Sequence, residues 1–244
     1  MRNLKLTIAY DGTNYHGFQR QINAITIQEV LEKRLIKIFS NPLKILIAAR
    51  TDTGVHAYGQ VISFQTDSSI PVNRICMASL RYLPDDIVVV KAEEVPLSFN
   101  ARRSAQGKIY RYRLLNSFLP NPLEKNYSWH YHHDLDVDKM NEAMKKIVGT
   151  YDFSSFRAAG GAPMSPIRTI FSAECIKKDD IIEFEFFGSG FLYHMVRNLV
   201  GTIVDVGRNR FSVNDFQDIL DAKDRTSAGR TAPPQGLYLI KVKY

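Results

Sequence analysis

Cysteine is scarce. Only Cys76 and Cys175 occur in 244 residues, too few for the disulfide framework of a small secreted protein, so a reducing, cytoplasmic setting is expected. Long apolar runs are also missing. A stretch such as LKILIAA (43–49) is far too short to span a bilayer, and the first residues, MRNLKLTIAYDG, lack the core of a signal peptide. Acidic residues are in deficit: 25 Asp and Glu against 32 Lys and Arg, a formal charge of +7. That excess suits a polyanion such as nucleic acid, although many basic proteins bind none. A metal cluster is not indicated either. His130, His132 and His133 have no cysteine nearby and no His-x-x-x-His frame, so they read as a segment leading into a helix at Asp136.

What remains is an ordinary globular composition, 45% hydrophobic and 23% charged, long enough for one large domain or two modest ones. Period-2 and period-3.6 patterns alternate along it, and they do so twice. In the first half, strands are expected at 4–10, 44–49, 59–66 and 87–95 and helices at 26–39 and 72–83. The stripe Ile27, Val30, Leu31, Leu35 and Ile38 supports the first helix, with Thr26 as its cap. In the second half, strands are expected at 108–116, 168–178, 181–188 and 237–244. The helices there are 136–149, ended by Gly149, then 191–207 and 213–222. Two successive β-α-β-β-α-β patterns imply an α+β fold of two ferredoxin-like halves, 1–105 and 106–244, the second with an extra helix. Joined edge to edge, they would form one continuous, mainly antiparallel sheet with helices on one side and a central cleft.

The most informative segment is AARTDTGVHAYGQ (48–60). A carboxylate just past a buried strand sits on a rigid support, and Gly54 allows a sharp turn after Asp52. Arg50, if close, favours the ionised acid and makes Asp52 a nucleophile or base. The plain alternative is an Asp that caps a turn, with Thr51 and Thr53 bonding the local backbone. An aspartic-protease reading of Asp-Thr-Gly needs two carboxylates sharing a proton, and no second such motif occurs.

In GKIYRYRLLN (107–116), Tyr110 and Tyr112 share one strand face and Arg111 and Arg113 the other. Tyrosines in a cleft offer a stacking surface for an extruded base, and the basic residues suit phosphates. The bland reading is an aromatic core face backed by a solvated basic one. Arg197, on the apolar helix expected at 191–207, calls for a carboxylate partner, either Asp52 or the sequence-local Asp205.

These residues, taken in order, resemble the tRNA pseudouridine synthase A family. The matching segments are AYDGTNYHGFQRQ (9–21), TIQEVLE (26–32), ARTDTGVHA (49–57), FNARRSAQGKIYRYR (99–113), SPIRTI (165–170), GSGFLYHMVRNLVG (188–201) and TAPPQGLYL (231–239). The family pattern usually has Ala where this chain has Thr53, and often Trp where it has Phe18. Neither change touches the carboxylate. The resemblance implies a cofactor-free, metal-free enzyme that isomerises uridine to pseudouridine at positions 38, 39 and 40 of the tRNA anticodon stem-loop, usually as a homodimer. It puts the catalytic aspartate at Asp52 and the tyrosine that stacks on the uracil at Tyr110. It further puts the arginine implicated in base extrusion at Arg50, the basic partner of the acid at Arg197, and an apolar pocket residue at Leu237.

Overall fold

Alternating apolar residues make Arg2–Tyr10 the first strand, β1, with Leu4, Leu6 and Ile8 fully buried on one face. The structure is a computed structural model that describes residues 1–161 and 164–244. Among them are ten strands and five α-helices, an α+β fold whose strand pairs are mostly antiparallel. No helix among the described residues is long and apolar enough to cross a membrane. The chain forms two compact units, Met1–Gln106 with Tyr238–Tyr244, and Gly107–Leu237.

In the first unit, β1 is followed by α1 (Ile27–Phe39), β2 (Leu46–Ile47), β3 (His56–Thr66), α2 (Val72–Leu80) and β4 (Ile87–Val95). Thr26 caps α1, its hydroxyl accepting from the Glu29 N–H at 3.4 Å. The buried stripe is Ile27, Leu31, Leu35 and Phe39; Val30 and Ile38 lie half-buried at its margin. Phe39 meets the Phe64 ring edge-on with centroids 5.0 Å apart, which seats the end of α1 on β3. β4, β1, β3 and β2 pair antiparallel in that order, the ferredoxin-like arrangement. β2 is shorter than the expected 44–49. The Gln60 side chain takes over its ladder, donating to the Ala49 carbonyl at 2.8 Å and accepting from the Ala49 N–H at 3.2 Å. α2 likewise stops at Leu80 rather than residue 83, shortly before Pro84.

The last strand, β10 (Leu237–Lys243), was expected to close the second half. From Tyr238 onward it groups with the first unit, where it runs parallel to β3 with Tyr238 opposite His56 and Leu239 opposite Ala57.

The second unit contains β5 (Gly107–Asn116), β6 (Trp129–Tyr131), α3 (Val137–Lys145), β7 (Gly149–Asp152), β8 (Ile167–Lys178), β9 (Ile181–Gly188), α4 (Met195–Gly207) and α5 (Val213–Ala222). Here β5, β9, β8 and β7 pair antiparallel in that order. Tyr110, Tyr112 and Leu114 face Phe186, Phe184 and Ile182 across the ladder. All six side chains are buried, and they form one face of the core. β8 and β9 join through Asp179 and Asp180, with Asp179 at φ 53, a left-handed value an Asp tolerates.

Three expectations change here. α3 ends at Lys145, and Gly149 opens β7 at φ 135, where a side chain would be strained. α4 begins at Met195 instead of residue 191, because His194 takes a left-handed φ of 57. β6 and β7 have only three and four residues, too few for a period to show in sequence.

α4 is the apolar heart of this unit: every residue from Met195 to Gly207 is buried except Arg197. The segment after α5 closes tightly on it. A Cβ at Gly201 would lie 1.7 Å from the Arg230 carbonyl oxygen, and one at Gly229 would lie 2.6 Å from Asp205 Oδ2. Gly201→Ala should therefore lose about 3 kcal/mol through overpacking, lowering the melting temperature by roughly 6–12 °C. A melt that matches wild type would mean the 229–232 backbone gives way freely.

Candidate active site

Asp52 stands in the loop between β2 and β3. The chain leaves two buried alanines, Ala48 and Ala49, passes exposed Arg50 and buried Thr51, and presents a half-buried Asp52. Gly54 then turns the backbone at φ 76 before Val55 and His56 return to the interior.

A second loop, 11–18, braces this one at several points. The Tyr10 and Thr51 hydroxyls lie 2.7 Å apart, inside the protein. The Phe18 N–H donates to the Thr51 carbonyl at 3.1 Å, and the Gly54 N–H to the Tyr15 carbonyl at 3.2 Å. The Gly12 N–H donates to His56 Nδ1 at 3.1 Å, and that nitrogen also lies 3.1 Å from Asp11 Oδ1. Tyr15 in turn anchors its own loop by donating to Asp86 at 2.7 Å. Two glycines make the nesting possible. A Cβ on Gly12 would sit 2.0 Å from the Val55 carbonyl oxygen, and one on Gly17, at φ 81, would sit 2.6 Å from that of Thr51. Thr51 thus bonds a distant tyrosine, where a turn-capping role would have it bond the local backbone. Gly12, Gly17, Tyr10, Tyr15 and His56 support the site, a role that the residues around Asp52 do not reveal. In the sequence they fall within the family-matching segments AYDGTNYHGFQRQ (9–21) and ARTDTGVHA (49–57).

In the second unit, the two tyrosines of β5 separate in role. Tyr112 is core: it is fully buried, packed edge-on to Trp129 and Phe184, with its hydroxyl donating to the Pro233 carbonyl at 2.8 Å. Burial pushes that hydroxyl well above the usual tyrosine range. Tyr110 retains 7% exposure, its ring set edge-on to Phe191 at 5.0 Å.

The opposite face of β5 corrects an expectation. Arg111 pairs with Glu185 at 2.9 Å and Glu183 at 3.4 Å, and Arg113 with Glu124 at 3.1 Å. These guanidinium groups are engaged by carboxylates and are not set out for phosphates. The groove on this face, about 730 Å³, is acidic: Glu124, Glu174, Asp179, Asp180, Glu183 and Glu185 outnumber Arg111, Arg113 and Lys178. A polyanion gains nothing there.

Arg197 is held by backbone. Its Nε donates to the Ala232 carbonyl at 2.8 Å, and the Ala232 N–H donates back to the Arg197 carbonyl at 3.0 Å. Asp205, one of the two carboxylates considered for it, lies eight residues on, roughly 12 Å along the helix. Fully buried, Asp205 is engaged by Arg208 at 2.8 Å and Arg210 at 3.4 Å. Asn198 fixes the same region, accepting from Thr231 Oγ1 at 2.6 Å and Arg225 at 3.1 Å. Segment 231–237 therefore ties together Arg197, through Ala232, and Tyr112, through Pro233. It leads into buried Leu237 by way of Gly236, whose Cβ would lie 2.6 Å from the Tyr112 ring. His130 spends its Nε2 on the Ser117 carbonyl at 2.8 Å. Among the described residues, no three His, Cys, Asp or Glu side chains gather in a way that could hold a metal ion.

Comparison with known proteins places the chain in a family. A family model described as tRNA pseudouridine synthase matches residues 6–102 and 143–244. The chain is 48% identical over its full length, and the full length of the relative, to tRNA pseudouridine synthase A of Thermoanaerobacter sp. (strain X514). It is 45% identical over 248 aligned residues to the protein of that name from Lacticaseibacillus casei (strain BL23), again covering all of both chains. Among solved structures, a chain of the Cbf5-Nop10-Gar1 complex is similar at 12% identity with a TM-score of 0.43. That match covers 97% of this chain and 48% of the other, too slight a likeness to carry an argument. The chain belongs to the tRNA pseudouridine synthase family, enzymes that isomerise uridine to pseudouridine.

The brace around Asp52 yields a prediction. Tyr10→Phe removes one partner of a buried hydroxyl pair and should cost about 1–2 kcal/mol. In urea this would appear as a lower unfolding midpoint with an unaltered slope. Burial raises the Tyr10 hydroxyl above its ordinary range, so the unfolded chain ionises first. Its contribution to wild-type stability is complete below about pH 10 and is lost as pH climbs beyond that. A midpoint equal to wild type would show that the Tyr10–Thr51 bond does not hold the loop.

Proposed function

We propose that this enzyme acts on tRNA, converting uridines 38, 39 and 40 of the anticodon stem-loop to pseudouridine, with Asp52 as its catalytic carboxylate. The observation that carries this reading is a half-buried aspartate on a loop pinned from both sides, within the segment ARTDTGVHA. The roles of the other residues follow from the family resemblance. Tyr110 supplies the ring on which the target uracil stacks, Leu237 lines its pocket, Arg50 helps extrude the base, and Arg197 is the basic partner of the acid within the substrate site.

The reaction breaks the N1–C1′ bond, turns the uracil and joins C5 to C1′. Forming the C5–C1′ bond releases the C5 proton to solvent while the freed N1 takes one up. Substrate and product are therefore isomers, and the reaction requires no redox or group-carrying cofactor. A uridine in a stem must first be extruded, at a cost of a few kcal/mol that stacking and phosphate contacts offset. Three routes then use the carboxylate: attack on C1′, addition to uracil C6, or removal of the C2′ proton. All three require the ionised acid. We further infer that the enzyme is cytoplasmic, in keeping with its two free cysteines, and works as a homodimer, the state the resemblance implies.

Tritium release from tRNA labelled at uridine C5 tests the assignment. Wild type should release label at the mapped positions, while Asp52→Asn should bind tRNA within about threefold of wild type and release none. Clear turnover by the Asn variant would sink the catalytic role of Asp52, and a wild type that binds but never releases label would make the chain a binding module. Light scattering should give a mass near twice 27.8 kDa; the single-chain mass would exclude the dimer.

A further inference from the structure

The aromatic residue that follows the catalytic loop is placed unlike any other ring in the first unit. In the β1–β3 ladder, Ile8 faces Gln60 and Tyr10 faces Ala57, so two steps on β1 span three on β3. The extra residue is a β-bulge at positions 58–59, and such bulges re-aim side chains beside active sites. His56 and Gln60 are buried, and Tyr58 between them is 63% exposed. Gly59 lets β10 close on the bulge, since a Cβ there would lie 2.3 Å from the Ile240 carbonyl oxygen.

The bulge turns Tyr58 onto a ring column. Tyr238 lies 4.8 Å from His56 at an interplanar angle of 25° and 5.6 Å from Tyr58 at 16°. The order is His56, Tyr238, Tyr58: a buried inner end, a buried middle and an exposed outer ring. Other core pairs are tilted or edge-on, from Phe156 and Phe216 at 31° to Phe39 and Phe64 at 72° and Tyr112 and Trp129 at 88°. Flat packing that ends in an open flat face is what a planar, apolar-faced ligand needs. One face of Tyr58 rests on Tyr238 and the rest of the ring meets solvent.

We propose that Tyr58 is a stacking platform for a nucleobase of the substrate RNA other than the target. This rests on the RNA-modifying reading above and extends it to a residue outside the recognised site. Tyr58 lies six residues beyond Asp52, at most about 20 Å along the chain, a span of a few nucleotides. Exposed Arg50 supplies a cation on the same loop, and the chain carries a net charge of +7. Because Tyr238 already holds the ring flat, little side-chain freedom is lost when a base adds to the column. Base–aromatic stacking tolerates any base, so Tyr58 contributes affinity without sequence preference.

The test is tRNA binding by fluorescence anisotropy and turnover by tritium release for four substitutions at this exposed position. Tyr58→Ala and Tyr58→Leu should weaken binding by about five- to a hundredfold, the range for one lost stack. KM should rise in parallel while kcat falls less than threefold. Tyr58→Phe and Tyr58→Trp should stay within about twofold of wild type. The slope of log Kd against log salt should be the same in all five proteins, because no phosphate contact is lost. A leucine variant that binds like wild type, an alanine variant within twofold of it, or a shallower salt slope would each overturn the proposal. Failure of wild type to release label would instead defeat the enzymatic reading, and the binding arm would still report on Tyr58.

Discussion

The contact on which the active region depends is the nesting of two backbone loops through a pair of glycines. At Gly12 and Gly17 the chain comes so near residues 51–55 that even a methyl group would collide with a carbonyl oxygen. Such closeness turns a short polar loop, ordinarily a mobile element, into a support comparable to a strand. The hydrogen bonds from Phe18, Gly54 and Gly12 then have little room to vary. A carboxylate carried on that support is held in one position, and enzymatic reactions in general are sensitive to errors of about an ångström.

The second unit solves a different problem, that of burying a helix that carries one arginine. α4 gives up all its other side chains to the core and leaves Arg197 at its one opening. Segment 231–237 holds that residue through its main chain and covers Tyr112 by the same stretch of backbone. Residues far apart in sequence are thereby tied to a single element, which explains why TAPPQGLYL (231–239) reads as a motif although it is mostly loop.

Much of this was legible from residue order. The apolar period of 27–39, with a threonine before it, specified α1 and its cap, and the two apolar runs around Asp179 and Asp180 specified the β8–β9 hairpin. What escaped depended on partners distant along the chain. β2 is cut short by the amide of Gln60, eleven residues from Ala49. α4 starts late because His194 adopts a left-handed backbone that a propensity argument assigns to glycine. Arg111 and Arg113 looked suited to phosphates until the β5–β9 register set Glu183 and Glu185 beside them. That Asp52 follows a buried segment and precedes a glycine turn was legible because both are local, but the brace around it comes from forty residues upstream.

The acid-rich groove over β5, β8 and β9 has a bearing on encounter. Six carboxylates against three cations make that face repel a polyanion, although the whole chain is basic. The positive field must therefore be concentrated on the remaining surface, so an arriving RNA is turned before it touches and wrong-sided collisions are short-lived. Productive orientation is then partly selected during diffusion, at ranges that shrink as ionic strength rises.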